Sequence, residues 1–346
     1  MRRILLILLA ALVLCSCVSA AEAEEQSVEQ IVTAFMEENG LSEQNFSISY
    51  YNTVTGETYA FNDTKFAIAA STYKLPLNMY FYEMEQEGLI TGDTIIAGTG
   101  KTLDTCHQMS IVDSNNEVSE LMMYHWGDHT TYKNNMRKYF SMTDEEIDPL
   151  YYQGNFYCVR MMMDTLKYLY DHSESFEELL GYMKIAAPDA YFKLGVQDYE
   201  VAHKYGEVQW FMNDTAIIYT PQPFLLAVYT QNVCSQQVLA DIARLLTDYT
   251  VEKAAQTEQK EPETVELELS FTEVPKEEPA DAPQPELSSE EAPETSAVKR
   301  PVEEKQLHAD EIRPEEPQKS RYYRLFAIPG ILLVAGICLL LNKKRS

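Results

Sequence analysis

The spacing of apolar positions changes period several times along the chain, and each change marks an element. Over 27–38 the residues Val28, Ile31, Val32, Phe35 and Met36 recur at helical spacing, and Asn39-Gly40 is a good terminator, so a helix is expected. Phe46-Ser-Ile-Ser-Tyr-Tyr51 alternates with period two, Thr55-Gly56 turns, and Thr58-Tyr-Ala-Phe61 returns, which predicts a β-hairpin. Helical spacing resumes over 71–87 through Leu75, Leu77, Met79, Tyr80, Tyr82 and Met84. From 111 to 190 the pattern stays helical with loops, most clearly over 160–169 and 176–185. Strand-like runs follow at 209–213, 215–219 and 224–230, with Pro221-Gln222-Pro223 splitting the last two. Residues 236–249 read as a closing amphipathic helix. This order predicts an α+β fold: an antiparallel sheet built from both chain ends, with a helical subdomain inserted between them.

The two ends follow other rules. Arg2 and Arg3 precede an apolar stretch from Ile4 to Leu14, and small residues continue to Ala23. That layout predicts a signal peptide over 1–23, too short to span a bilayer comfortably, with cleavage after Ala20 or Ala23. Leu14-Cys15-Ser16-Cys17 leaves open a lipoprotein form acylated at Cys17. Near the C-terminus, the apolar run 325–341 is flanked by Tyr322, Tyr323 and Arg324 and closed by Lys343-Lys344-Arg345. It predicts a single membrane-spanning helix, with 342–346 as a cytoplasmic tail and the main domain on the outer side. The expected location is therefore the cell membrane, with the domain extracytoplasmic.

Charge divides the chain in the same way. The formal net charge of −27 comprises −1 over 1–25, −19 over 26–250, −12 over 251–320 and +5 over the last 26 residues. Residues 251–320 also hold 9 of the 15 prolines and no glycine, which predicts a disordered, self-repelling stalk. An acidic domain at 26–250 makes nucleic acid a poor partner, because phosphate binding needs a concentrated basic face. Cys106, Cys158 and Cys234 cannot all pair within one domain and show no CxxC spacing, so they are expected to be buried free thiols. No disulfide staple is needed in a domain of this size, and a monomer is expected.

The candidate chemistry begins at Ser71-Thr72-Tyr73-Lys74. Positions three apart share a helix face, which places Lys74 beside the Ser71 hydroxyl, and a neutral lysine is a competent general base. Downstream, Ser114-Asn115-Asn116 precedes a helical stretch at 118–124, and His203-Lys204-Tyr205-Gly206 opens the strand block. Three such elements in this order resemble the SxxK, SxN and KxG motifs of penicillin-binding proteins and class A β-lactamases. The resemblance covers residues 27–250. It implies that Ser71 is an acylated nucleophile and Lys74 its proton acceptor. Ser114 would relay a proton to the leaving nitrogen, Asn116 would bind a substrate amide, and Lys204 would supply positive charge. Tyr205, Gly206 and Glu207 would carry the substrate along the strand, with the oxyanion held by the backbone N–H groups of Ser71 and Glu207.

Several departures qualify the resemblance. Class A β-lactamases use a glutamate on a loop of the helical subdomain to activate the deacylating water. The matching stretch here, 149–158, has no carboxylate, and Glu145, Glu146 and Asp148 suit a solvated helix end. Tyr205 stands where Thr or Ser is usual, and Met212 where many relatives carry arginine. These features favour an acyl-enzyme with slow release, formed on a cell-wall D-Ala peptide or related amide and mimicked by β-lactams. A true β-lactamase is the nearest alternative, and a non-catalytic wall-binding module belongs to another class. No cofactor or metal is expected. His125, Asp128 and His129 fit an ordinary loop better than a metal site, and Tyr151, Tyr152, Phe156 and Tyr157 fit packing better than a sugar platform.

Overall fold

The computed structural model describes residues 26–260. The expected signal peptide, most of the stalk, the membrane span and the tail lie outside the described residues. The first helix, α1 (Val28–Asn39), is fixed at both ends by local chemistry. Ser27 and Gln30 form a capping box, and Gly40 closes the helix at φ 63°, a left-handed conformation that glycine adopts without strain. Next come β1 (Phe46–Asn52), β2 (Thr58–Phe61) and β3 (Ala67–Ile68), then a 3₁₀ turn at Ala70–Tyr73 leading into α2 (Lys74–Gln86). The helical block follows as β4 (Ile95–Ile96), β5 (Lys101–Thr102), α3 (Leu103–Ile111), α4 (Asn116–Met123), α5 (His129–Met136) and α6 (Leu150–Gln153). It continues through β6 (Phe156–Tyr157), α7 (Val159–Asp171), α8 (Glu177–Ile185) and α9 (Phe192–Gly195). The chain then returns to the sheet as β7 (Val201–Val208), β8 (Phe211–Ile218) and β9 (Phe224–Gln231), and closes with α10 (Gln236–Lys260).

The main sheet is antiparallel with order β2-β1-β9-β8-β7, so both chain ends contribute as the sequence order implied. Its central strands are buried on both faces, and period two sorts their residues between two cores. Ile217, Leu225, Ala227 and Tyr229 face the helical block with Leu75, Met79, Met161 and Leu166. Ala216, Ile218, Leu226 and Val228 face Val32, Phe35, Leu239 and Leu246 on the opposite side. Strand β7 is left as an edge.

Three boundaries differ from the sequence reading. The runs expected as separate strands at 209–213 and 215–219 are one strand, β8, and the extra strand is β7, upstream at Val201–Val208. The turn between them is made at Gln209, at φ 51°, beside the exposed Trp210, both inside the run expected as a strand. The closing helix runs on to Lys260, past the boundary set at 250, because the proline-free stretch after Tyr249 keeps good helix formers. Of the three thiols, Cys106 and Cys158 are buried and Cys234 is exposed; all are free. Among the described residues no helix is long and apolar enough to cross a membrane.

Candidate active site

The nucleophile candidate sits on a turn that is distorted and firmly held. The sequence reading placed Ser71 at the start of an α-helix; instead it lies in the 3₁₀ turn, with α2 starting at Lys74. Ala70 precedes it at φ 51°, a conformation that a residue with a Cβ adopts only when its surroundings enforce it. Those surroundings are hydrogen bonds to three consecutive carbonyls. Asn213 Nδ2 donates to Ile68 O (2.9 Å), Thr72 Oγ1 to Ala69 O (2.9 Å) and Asn155 Nδ2 to Ala70 O (2.7 Å). The Tyr229 hydroxyl hydrogen-bonds Thr72 Oγ1 from β9 behind the turn. Among the described residues no hydrogen bond holds the half-buried Ser71 hydroxyl, which leaves it free for attack.

A 3₁₀ turn has three residues per turn, so Ser71 and Lys74 eclipse one another more closely than on an α-helix. Lys74 is fully buried. Its Nζ donates to Asn116 Oδ1 (2.7 Å), to Ser114 Oγ (3.3 Å) and to the Ser114 carbonyl. Burial pulls its pKa down to about 7, against a small opposing pull from the Glu120 carboxylate. Lys204 approaches Ser114 from β7 with Nζ 3.1 Å from Ser114 Oγ. Burial, and next the charge of Lys74, hold Lys204 well below the usual lysine range. The Ser114 hydroxyl therefore stands between two lysine nitrogens, on a backbone at φ 52°. Asn115 fixes this loop by capping α4, its Oδ1 accepting from Val118 N (2.9 Å).

Gly206 lies where β7 crosses the nucleophile turn. A Cβ added there would come 2.4 Å from Ser71 N, 2.9 Å from Ala69 O and 2.9 Å from Thr72 N. Only glycine lets the strand backbone come this close. The structure thus brings Ser71, Lys74, Ser114, Asn116, Lys204 and Gly206 together. Tyr205 reaches the same place: its ring centre lies 4.0 Å from Lys204 Nζ. The Glu207 side chain is exposed and accepts a hydrogen bond from Tyr191 (2.9 Å).

Residues 149–158 bring no carboxylate to Ser71. Glu146 accepts from Thr143 N, Asp148 accepts from Leu150 N, and Glu145, Glu146 and Asp148 are all exposed. The segment is anchored by packing: Tyr151 and Tyr157 are fully buried and enclose the Lys133 ammonium at 4.1 and 3.8 Å from their ring centres. Burial holds Lys133 well below its usual pKa. Among the described residues no cluster of His, Cys, Asp and Glu could hold a metal ion, and Asp128 is occupied in capping α5. Asn155, Tyr191 and Lys133 carried no sequence signal, since lone polar residues gain a role only from the partners the fold supplies.

The model of the Beta-lactamase enzyme family matches residues 27–250. The chain belongs to this family. As a member of the Beta-lactamase enzyme family it is a serine hydrolase acting on amides. Solved structures share the fold. An ancestral class A β-lactamase is 18% identical with TM-score 0.56, over 64% of this chain and 99% of that one. The last common ancestor of Gram-negative bacteria class A β-lactamase is 18% identical with TM-score 0.56, over 65% and 100%. A β-lactamase from Xanthomonas campestris is 17% identical with TM-score 0.54, over 65% and 99%. No curated protein sequence matches the chain.

Proposed function

We propose that this protein is an exported, membrane-tethered enzyme that forms an acyl-enzyme on Ser71, acting on cell-wall D-Ala peptides or related amides. The observation that carries this reading is Lys74: fully buried, one 3₁₀ turn after Ser71, and held near neutrality. In the step it supports, Ser71 Oγ attacks the carbonyl carbon and its proton passes to Lys74. The carbonyl oxygen becomes an oxyanion facing the amides of Ser71 and Glu207. The C–N bond then breaks, and the leaving nitrogen takes a proton through Ser114, backed by Lys204. Water later cleaves the ester and returns Ser71. The absence of a carboxylate at 149–158 argues that this second step is slow, so β-lactams would act as acylating mimics rather than good substrates. The leader at 1–23, the stalk and the apolar run at 325–341 supply the export and the tether.

The test is the intact mass of the full chain, followed over time with excess benzylpenicillin. A one-to-one adduct that persists, and is absent from Ser71→Ala, is expected. Rapid loss of the adduct with steady turnover of a coloured cephalosporin would assign a true β-lactamase. Absence of any adduct at high concentration would favour a wall-binding module.

A further inference from the structure

The edge of β7 next to Ser114 has an unusual distribution of charge, and it bears on which amides Ser71 takes. A lysine ammonium has three donors. For Lys204 these face Ser114 Oγ (3.1 Å), the Tyr205 carbonyl (2.9 Å) and the Tyr205 ring (4.0 Å to its centre), and the residue is fully buried. None is left for an incoming group. The Tyr205 ring is itself held in place, stacked on Tyr191 at 4.5 Å and 16°, while the Tyr191 hydroxyl donates to Glu207 Oε2 (2.9 Å). Apart from the two buried lysines, the charges acting on the side chains around the site are carboxylates. Glu120 acts on Lys74 and Tyr73, Asp214 and Asp113 act on Tyr205, and Glu207 acts on Tyr191. Asp214 is buried against His203, but Asp113, Glu120 and Glu207 are exposed, so an anion entering beside Ser114 meets a lysine whose donors are taken and open carboxylates.

We propose that Tyr205 is a specificity-determining residue, covering Lys204 so that Ser71 accepts amides whose leaving side carries no free carboxylate. Among the amides of that reading, the substrate class is a neutral or amine-bearing amide, such as a D-Ala peptide whose leaving side is amidated, and not one ending in a free C-terminal acid. This rests on the acyl-enzyme reading of Ser71, in which the leaving nitrogen faces Ser114 and its substituent lies against Tyr205. The bonds are those of that reading: the Ser71 ester forms, the C–N bond breaks, the Ser71 proton goes to Lys74 and the departing nitrogen gains one through Ser114.

Benzylpenicillin and its methyl ester differ on the leaving side alone, by the charge and the one methyl group that removes it. The second-order rate of adduct formation on the full chain is measured for each by intact mass, and scaled by its rate of hydroxide hydrolysis. The ester is expected to acylate the wild type at least as fast as the acid, and likewise Tyr205→Phe, which keeps the covering ring. Tyr205→Thr uncovers Lys204 and is expected to shift the ratio toward the acid about tenfold or more, the scale of one hydrogen bond to a charged group. A wild type acylated tenfold faster by the acid overturns the inference, as does an unchanged ratio in an acylatable Tyr205→Thr. If Tyr205→Thr does not fold, the wild type and Tyr205→Phe ratios decide. Failure of both penicillins to label Ser71 overturns the acyl-enzyme reading, and the inference falls with it.

Discussion

Two lysines, Lys74 and Lys204, meet at one serine hydroxyl, and burial there governs their protons. Lys74 acts as a base only when neutral, and burial sets its pKa near 7. Acylation by a β-lactam is therefore expected to slow about tenfold per pH unit below 7 and to level off above it. A stopped-flow or mass-based pH profile checks this, and a profile that is flat from pH 5 to 8 would remove Lys74 as the base. Lys204 is not what depresses Lys74. Burial is the main cause, and the charge of the neighbour bears chiefly on Lys204. The motif residues themselves were legible, because a three-residue spacing projects Lys74 onto Ser71 whether the turn is α or 3₁₀. The path of the Tyr205 ring was not. Period two puts Tyr205 and Lys204 on opposite sides of a strand, and only the twist of an edge strand and the support of Tyr191 bring the ring under the ammonium.

At the scale of elements, the site is the contact of an edge strand with a clamped turn. Strand β7 crosses the Ala70–Tyr73 turn at Gly206, and the atoms an added Cβ would meet all belong to backbone. Neither side can yield by rotating a side chain. Gly206→Ala is expected to push the strand off the Ser71 amide, lowering the acylation rate on the order of 100-fold, the scale of one lost oxyanion donor. Labelling kinetics set beside a circular dichroism spectrum check this; a normal rate in a folded variant would show that the strand backbone does not serve the reaction. The β1–β2 hairpin and α1 were readable because turn residues and caps act locally, as Gly40 and Ser27 do. The split of β8 into two strands failed for the same reason in reverse. The β7–β8 turn is enforced by pairing, with Val208 opposite Phe211, and not by glycine or proline. The hydrogen bonds of Asn155 and Asn213 to the turn were invisible because their partners, Ala70 O and Ile68 O, lie far away in sequence.

For the whole molecule, the buried lysines and tyrosines make stability depend on alkaline pH in two directions. Lys74 titrates at about 7 and Lys193 at about 8, with Lys133 and Lys204 also depressed, against an ordinary 10.5. Between those values the unfolded chain binds protons that the native chain does not, so stability rises with pH. Above 10 the sign reverses, because burial raises Tyr132, Tyr157 and Tyr229, and the native chain keeps protons that the unfolded chain releases. The urea midpoint is thus expected to rise from pH 7 to about 9.5 and to fall beyond about 10.5, with Lys193→Met flattening the rise. A midpoint that falls steadily from pH 7 would mean these lysines stay charged when buried. The sheet order has a separate consequence, for the timing of folding. Strand β1 lies between β2 and β9, and its register with β9 (Ser47 opposite Tyr229) closes a loop of about 180 residues, an entropic barrier of roughly 5 kcal/mol beyond the constant term. Early in synthesis β1 has only the short β2 as a partner. Its other edge stays unsatisfied until the last strand is made, so the chain passes through a long interval in which a chaperone or a neighbouring copy competes for the same backbone groups.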